Sequence, residues 1–240
     1  MIQTVAGWSW FFLAWGALYL ALRYSAEVMA AERRARLVQG LAHAAQLRAL
    51  QNQINPHFMF NTLNSISALM LDGEVTQAEA MLRRLSEFLR ATLSLDALSD
   101  ITLDEELRIQ RMYLSIERAR FPDMEVAIDC PTRLGKALVP ALIIQPVIEN
   151  AVKFGVASSL RPTRIEIAAR ESGDRLILSV ADDGQGSKQQ PGGSGLGVGL
   201  RNVRDRLRSR FGDAHGFTAE HGARGGYQVE LSMPLTRAPA

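Results

Sequence analysis

The hydrophobic period of this chain changes at Pro122. Upstream of it, apolar residues recur every three or four positions, the spacing of a helix with one buried stripe. Downstream they alternate, the spacing of half-buried strands. Such a chain folds as a helical part followed by a mixed α/β part, and 240 residues suffice to bury a core. Hydrophobic residues make up 47% and charged ones 22%, with 27 basic against 25 acidic side chains. That composition excludes a disordered chain. It also argues against direct nucleic acid binding, because phosphate contacts demand a strongly basic surface. The one cysteine, Cys130, can form neither an internal disulfide nor a cysteine zinc site.

The N-terminus stands apart. No charged side chain occurs from Met1 to Leu22. About 22 residues rise roughly 33 Å as a helix, against a hydrocarbon core of about 30 Å. Trp8, Trp10, Tyr19 and Tyr24 suit membrane interfaces, and Arg23, Arg33, Arg34 and Arg36 follow. The expectation is a single transmembrane helix over residues 1–23, with the rest of the chain in the cytoplasm. A cleaved signal peptide would open with lysine or arginine and carry a shorter apolar run.

Residues 24–72 read as helix. Leu37, Leu41, Ala44, Leu47, Leu50 and Ile54 form one apolar stripe, which needs a second helix or a second subunit to cover it. Pro56 should bend this helix. A second helix over residues 76–95, with Ala80, Leu82, Leu85, Phe88 and Leu89 inward, folds back as an antiparallel hairpin. A third runs over residues 102–120, capped by Thr102 with Glu105 reaching back. Strands are expected around Val126, Ile165 and Val229 and at residues 175–182, with a turn at Ser172, Gly173 and Asp174. Helical patterns return at residues 140–153 and 199–210, and residues 222–226 read as a hairpin turn. Residues 189–199 are flexible by composition.

Two constellations can carry chemistry. In QINPHFMFNTLN, Gln53, His57, Asn61 and Asn64 fall near one helical face. A neutral imidazole is a good nucleophile near pH 7, and an amide one turn away can fix its orientation. The second constellation lies in the α/β part. IENAVKFG places Glu149, Asn150 and Lys153 within little more than one turn, and Lys153 is one of only three lysines. An amide oxygen suits Mg²⁺ and an ammonium suits phosphate. ADDGQG follows, with Asp182 closing a strand and Gly184 and Gly186 permitting tight turns. GSGLGVGLRN then supplies a glycine-rich loop opening onto a helix, an arrangement that suits a polyphosphate.

These motifs resemble those of the LytS/YehU-type sensor histidine kinases, over about residues 47–234. NPHFMFNTLN resembles the phosphoacceptor segment, which implies phosphorylation of His57, with Asn61 beside it. IENAVKFG resembles the asparagine box, implying Asn150 as the Mg²⁺ ligand and Glu149 and Lys153 beside the phosphates. DDGQG resembles the first glycine box, with Asp182 accepting from the adenine amine. GLGVGLRNVRDRL resembles the second, with Gly195, Gly197 and Gly199 in a lid followed by Leu200 and Asn202. LDEEL, YLSIERARF and GGYQVELSMP also resemble family segments. Phe154 stands where many relatives carry histidine, and Phe58 rather than an acidic residue follows His57.

After the expected transmembrane helix over residues 1–23, the resemblance implies an all-α dimerisation and phosphoacceptor hairpin over residues 24–121. An α/β sandwich of the GHKL (Bergerat) ATP-binding type would follow over residues 122–236. It implies a homodimer in the inner (cytoplasmic) membrane that moves phosphate from Mg-ATP to His57 and then to a response regulator, often one with a LytTR domain. Glu149, beside Asn150, is the candidate to take the proton leaving His57; the alternative is that it orients a metal-bound water or pairs with Lys153. The rivals are a non-catalytic membrane adaptor with a degenerate nucleotide fold, and a GHKL ATPase transferring phosphate to water. His43, His215 and His221 lack polar surroundings like those of His57 and read as surface or packing residues.

Overall fold

The computed structural model describes residues 55–96, 99–184, 197–222 and 225–238, together with Trp15, Arg23 and Met29. The chain divides into two units, Met1–Asn55 and Pro56–Ala240. Every element described below belongs to the second.

Helix α1 (Pro56–Leu71) begins at the proline, whose fixed φ and missing N–H suit the first helical position. Pro56 therefore opens this helix. The expected upstream stripe from Leu37 to Ile54 lies outside the described residues. Gly73, at φ +80°, ends α1, and the N–H of Glu74 returns to the carbonyl of Leu69. Helix α2 (Val75–Leu93) then runs back along α1. The hairpin buries Phe58, Thr62 and Ile66 against Ala78, Met81, Leu85, Phe88 and Thr92. Leu82, expected inward, is 50% exposed, because the buried stripe of α2 passes through Met81 one position earlier.

Strand β1 (Asp100–Thr102) leads into helix α3 (Leu103–Arg120). Thr102 caps α3 by accepting from the backbone N–H of Glu105 at 3.3 Å. The Glu105 carboxylate does not complete a capping box. It turns instead to Arg108, with contacts of 2.6 and 2.7 Å.

The α/β part holds a five-stranded sheet of β2 (Met124–Asp129), β4 (Thr163–Ser172), β5 (Arg175–Asp182), β6 (Gly216–His221) and β7 (Tyr227–Pro234). Its spatial order is β2-β4-β5-β7-β6; β2 runs parallel to β4, and the other neighbours are antiparallel. Strand β3 (Leu138–Pro140) pairs with β1 in a separate ribbon. At three residues each, these two are too short to show a period in the sequence.

Two helices cover the sheet. Helix α4 (Gln145–Asn150) continues as a π-helical turn, Ala151–Val156, which lies against β4 and β5. Helix α5 (Val198–Phe211) lies against β7 and α4. The helix expected over residues 140–153 starts later because residues 141–144 form a loop with Leu142 at φ +59°. Leu176, Leu178 and Val180 of β5 alternate into the core with Ile165, Ile167, Val229, Leu231 and Met233. Among the described residues, no helix is long and apolar enough to cross a membrane. The expected span over residues 1–23 lies outside them, apart from Trp15 and Arg23.

Candidate functional site

His57 is the second residue of α1 and is exposed, whereas the adjacent Phe58 is buried. Successive helical side chains point about 100° apart, so anchoring Phe58 in the core turns His57 outward. The Asn61 side-chain amide nitrogen lies 3.1 Å from His57 Nδ1 and 3.3 Å from Nε2, straddling the imidazole one turn along. Asn64 is exposed further along, and Gln53 lies outside the described residues. The Phe58 ring meets Tyr113 of α3 at 4.9 Å and Phe88 of α2 at 5.5 Å, and Phe88 meets Tyr113 at 5.9 Å. These three rings fix the first turn of α1, and with it the place of His57.

Tyr113 hydrogen-bonds to Glu117, four residues along α3. Burial, followed by the charges of Glu117 and Glu149, pushes the phenol well above its ordinary pKa. It therefore donates as O–H. Glu117 is also paired with Arg120 at 2.7 Å, and burial raises its pKa. Glu149, half-buried on α4, accepts from the Gln145 amide at 2.9 Å. Its charge bears on Tyr113 and Glu117, so Glu149 faces α3. Asn150 turns the other way, and a Cβ built on Gly199, at the start of α5, would lie 3.8 Å from its amide nitrogen.

Asp182 ends β5 with 9% of its surface exposed. The N–H of Gly184 donates to its Oδ1 at 3.1 Å, and the backbone of Tyr227 also donates to it. Burial pushes this carboxyl up to about 6, against the pull of those two hydrogen bonds; the neighbouring Asp183 adds to the rise. Gly155, in the π-helical turn, approaches so closely that a Cβ there would sit 2.5 Å from the Asp182 carboxylate. Gly184 likewise has no room for a Cβ against the Gly155 backbone. The wider π turn therefore lets the end of α4 lie flat on the tip of β5. Asp183 has a different task, since its Oδ1 accepts from the Arg164 N–H at 2.7 Å and holds the start of β4.

The remaining expected residues are placed as follows. Lys153 is exposed, with Nζ 5.0 Å from the Phe154 ring centre. Gly197 caps α5, Leu200 is buried in the core and Asn202 is exposed. Gly186 and Gly195 lie outside the described residues. His221 lies on the row Asp182–Tyr227–His221 across β5, β7 and β6, its ring 5.1 Å from that of Tyr227. The sequence reading missed Gly155, Tyr113 and Glu117 as site residues. Gly155 and the α3 residues stand in segments whose resemblance it noted, but nothing local marks what they touch.

Among the described residues, no cluster of three or more histidine, cysteine or acidic side chains could hold a metal ion. Mg²⁺ carried by a polyphosphate retains waters and takes only one or two protein oxygens, and the side-chain amide of Asn150 offers one hard oxygen donor of that kind.

Two family models match the chain. Residues 45–125 match the family model described as histidine kinase. Residues 135–237 match the one described as histidine kinase-, DNA gyrase B- and HSP90-like ATPase. The chain is 36% identical over 204 residues to the sensor histidine kinase BtsS of Escherichia coli K12, covering 83% of this chain and 35% of that protein. It is 32% identical over 192 residues to the sensor histidine kinase YesM of Bacillus subtilis, covering 79% and 33%. The sensor protein LytS of Enterococcus faecalis is 31% identical over 207 residues, covering 81% and 35%. The chain thus spans about a third of the length of these curated relatives.

Proposed function

The chain belongs to the LytS-type sensor histidine kinases, and on that premise we propose that it phosphorylates its own His57 from Mg-ATP and passes the phosphoryl group to a response regulator aspartate. The observation that carries this reading is His57 itself. It is exposed on the first turn of α1, held there by Phe58 and accompanied by the Asn61 amide. A histidine kept only for packing would be turned inward.

Asp182 would accept a hydrogen bond from the adenine amine, with Gly155 and Gly184 packed closely around its carboxylate. Asn150 and the glycine-rich start of α5 would face the phosphates, with the free N–H groups of the helix end supplying donors. Mg²⁺, held by Asn150 and the phosphates, would neutralise charge on the transferred group. Lys153 would add a positive charge at the same edge. Catalysis would rest on positioning and electrostatics. Glu149, facing α3, would take the proton that leaves the imidazole.

Residues 24–121 would form the dimerisation and phosphoacceptor part and residues 122–236 the nucleotide domain. A homodimer suits the hairpin, which exposes Phe60, Leu63, Met70 and Leu71 on α1 and Val75, Leu82 and Leu93 on α2. A second hairpin would cover such stripes in a four-helix bundle. The uncharged N-terminal run would anchor the dimer in the inner membrane with its kinase part in the cytoplasm. The regulator would be of the LytTR kind.

Incubation with γ-labelled ATP, followed by a denaturing gel, tests the reading. A retained label that is lost in acid and kept in alkali supports it. Free phosphate alone points to an ATPase, and no turnover points to an adaptor.

A further inference from the structure

Glu106, in the first turn of α3, has none of its surface exposed, and no role in phosphoryl transfer has been given to it. Its carboxylate accepts from the backbone N–H of Leu142 at 2.7 Å and of Ile144 at 3.1 Å. The Gln110 amide lies 3.4 Å away on the same side. Both backbone donors belong to the loop of residues 141–144, which feeds directly into α4. Leu142 stands there at φ +59°, a conformation that leucine adopts only when its surroundings hold it. From the opposite side, Arg206 of α5 donates to the carbonyl of Ala141 at 2.6 Å, and its charge also acts on Glu106. A four-residue loop is thus gripped by a carboxylate from α3 and a guanidinium from α5.

The elements so joined matter. Helix α4 carries Glu149 and Asn150, and Gly199 in the first turn of α5 lies beside Asn150. Stability alone does not account for the device, because a well-packed apolar pair fills such a space without desolvating two charges. We propose that Glu106 is a positioning residue for the nucleotide site. With Arg206, it sets the loop of residues 141–144 and thereby fixes Asn150 on α4 against the glycine-rich start of α5. This rests on the reading of Asn150 and Gly199 as the phosphate side of that site.

Glu106→Gln and Arg206→Met, singly and together in the full chain, test the proposal by two readouts. Glu106→Gln keeps the volume but loses one acceptor, and Arg206→Met keeps the apolar stem but loses the donor. The first readout is amide hydrogen exchange without nucleotide at low temperature, where the fold is intact. Exchange over residues 141–156 should quicken about tenfold in each single variant, with β4 and β5 unchanged. The double variant should exceed either single by no more than about twofold, because both side chains act through one loop. The second readout is affinity. Mg-ATP should bind about tenfold more weakly, while adenosine, held at Asp182, stays within about twofold.

Unchanged exchange over residues 141–156, or a uniform rise across all peptides, overturns the proposal. So does equal Mg-ATP affinity in wild type and variants. A wild-type chain that binds no Mg-ATP overturns the reading of the site and the proposal with it. If Glu106→Gln does not fold, Arg206→Met carries both readouts alone.

Discussion

Phe58 and Tyr113 meet ring to ring at 4.9 Å and 44°, joining the residue after His57 to the helix that faces Glu149. The contact ties the first turn of α1, which carries His57, to α3 through one buried cluster. Phe58→Ala should remove that anchor and cost about 3 to 5 kcal/mol of stability. Denaturant unfolding would measure it. A loss well under 1 kcal/mol would show that α1 is held by other contacts.

His57→Gln should bind ATP as the wild type does and take up no label. His215 and His221 remain in that variant as controls. Labelling that persists in it would move the phosphoacceptor elsewhere in the chain.

On the proposed reading Asp182 meets the base and Asn150 the metal, so their variants should fail differently. Asp182→Asn should weaken adenine nucleotides with or without Mg²⁺, having lost its charged acceptor. Asn150→Asp should matter chiefly when Mg²⁺ is present. Titration of a fluorescent ATP analogue, with and without EDTA, separates the two. The pH dependence follows from the raised pKa of Asp182. Its carboxyl, pushed by burial from 3.8 to about 6, would accept most strongly from the adenine amine when ionised. Affinity should therefore rise with pH through about 6, and this rise should vanish in Asp182→Asn. The stability effect has the opposite sign. The folded state holds this proton more tightly than the unfolded chain, so the group's contribution is full below about 3.8 and is lost as pH rises to about 6.

Gly155→Ala places a methyl group 2.5 Å from the Asp182 carboxylate. Overpacking of this kind typically costs about 1 to 3 kcal/mol, and here the strain falls on the base-binding side chain. Adenosine affinity should drop at least about tenfold while the fold survives at reduced melting temperature. Normal adenosine binding would mean that Asp182 moves aside freely and does not define the pocket.

Glu149→Gln keeps shape and hydrogen bonding and removes basicity. If Glu149 takes the imidazole proton, autophosphorylation should slow at least about a hundredfold with ATP affinity nearly unchanged. A near-normal rate would remove Glu149 as the base. A collapse of Mg-ATP affinity would assign it to the metal's surroundings instead.

Local pattern alone determined much of this molecule. The alternation of RLILSVAD marks β5 from Arg175 to Asp182, and the three- and four-residue spacing marks α2 and α3 to within a few residues. The motifs around His57, Asn150 and Asp182 are equally legible, because each is a contiguous run whose residue types suit one task. Tertiary structure decided the rest. A helical period does not choose between Met81 and Leu82 when both are apolar; the packing against α1 and α3 chooses. Residues 140–153 have helical spacing, yet the first part is a loop because Glu106 takes the N–H groups of Leu142 and Ile144, 36 and 38 positions away. Gly155 appears in the sequence as an ordinary glycine and becomes part of the site only where β5 brings Asp182 against it. Hydrophobic period records which side of a segment avoids water. It does not record which distant group meets that side, and a buried polar group must find its partner wherever the fold supplies one.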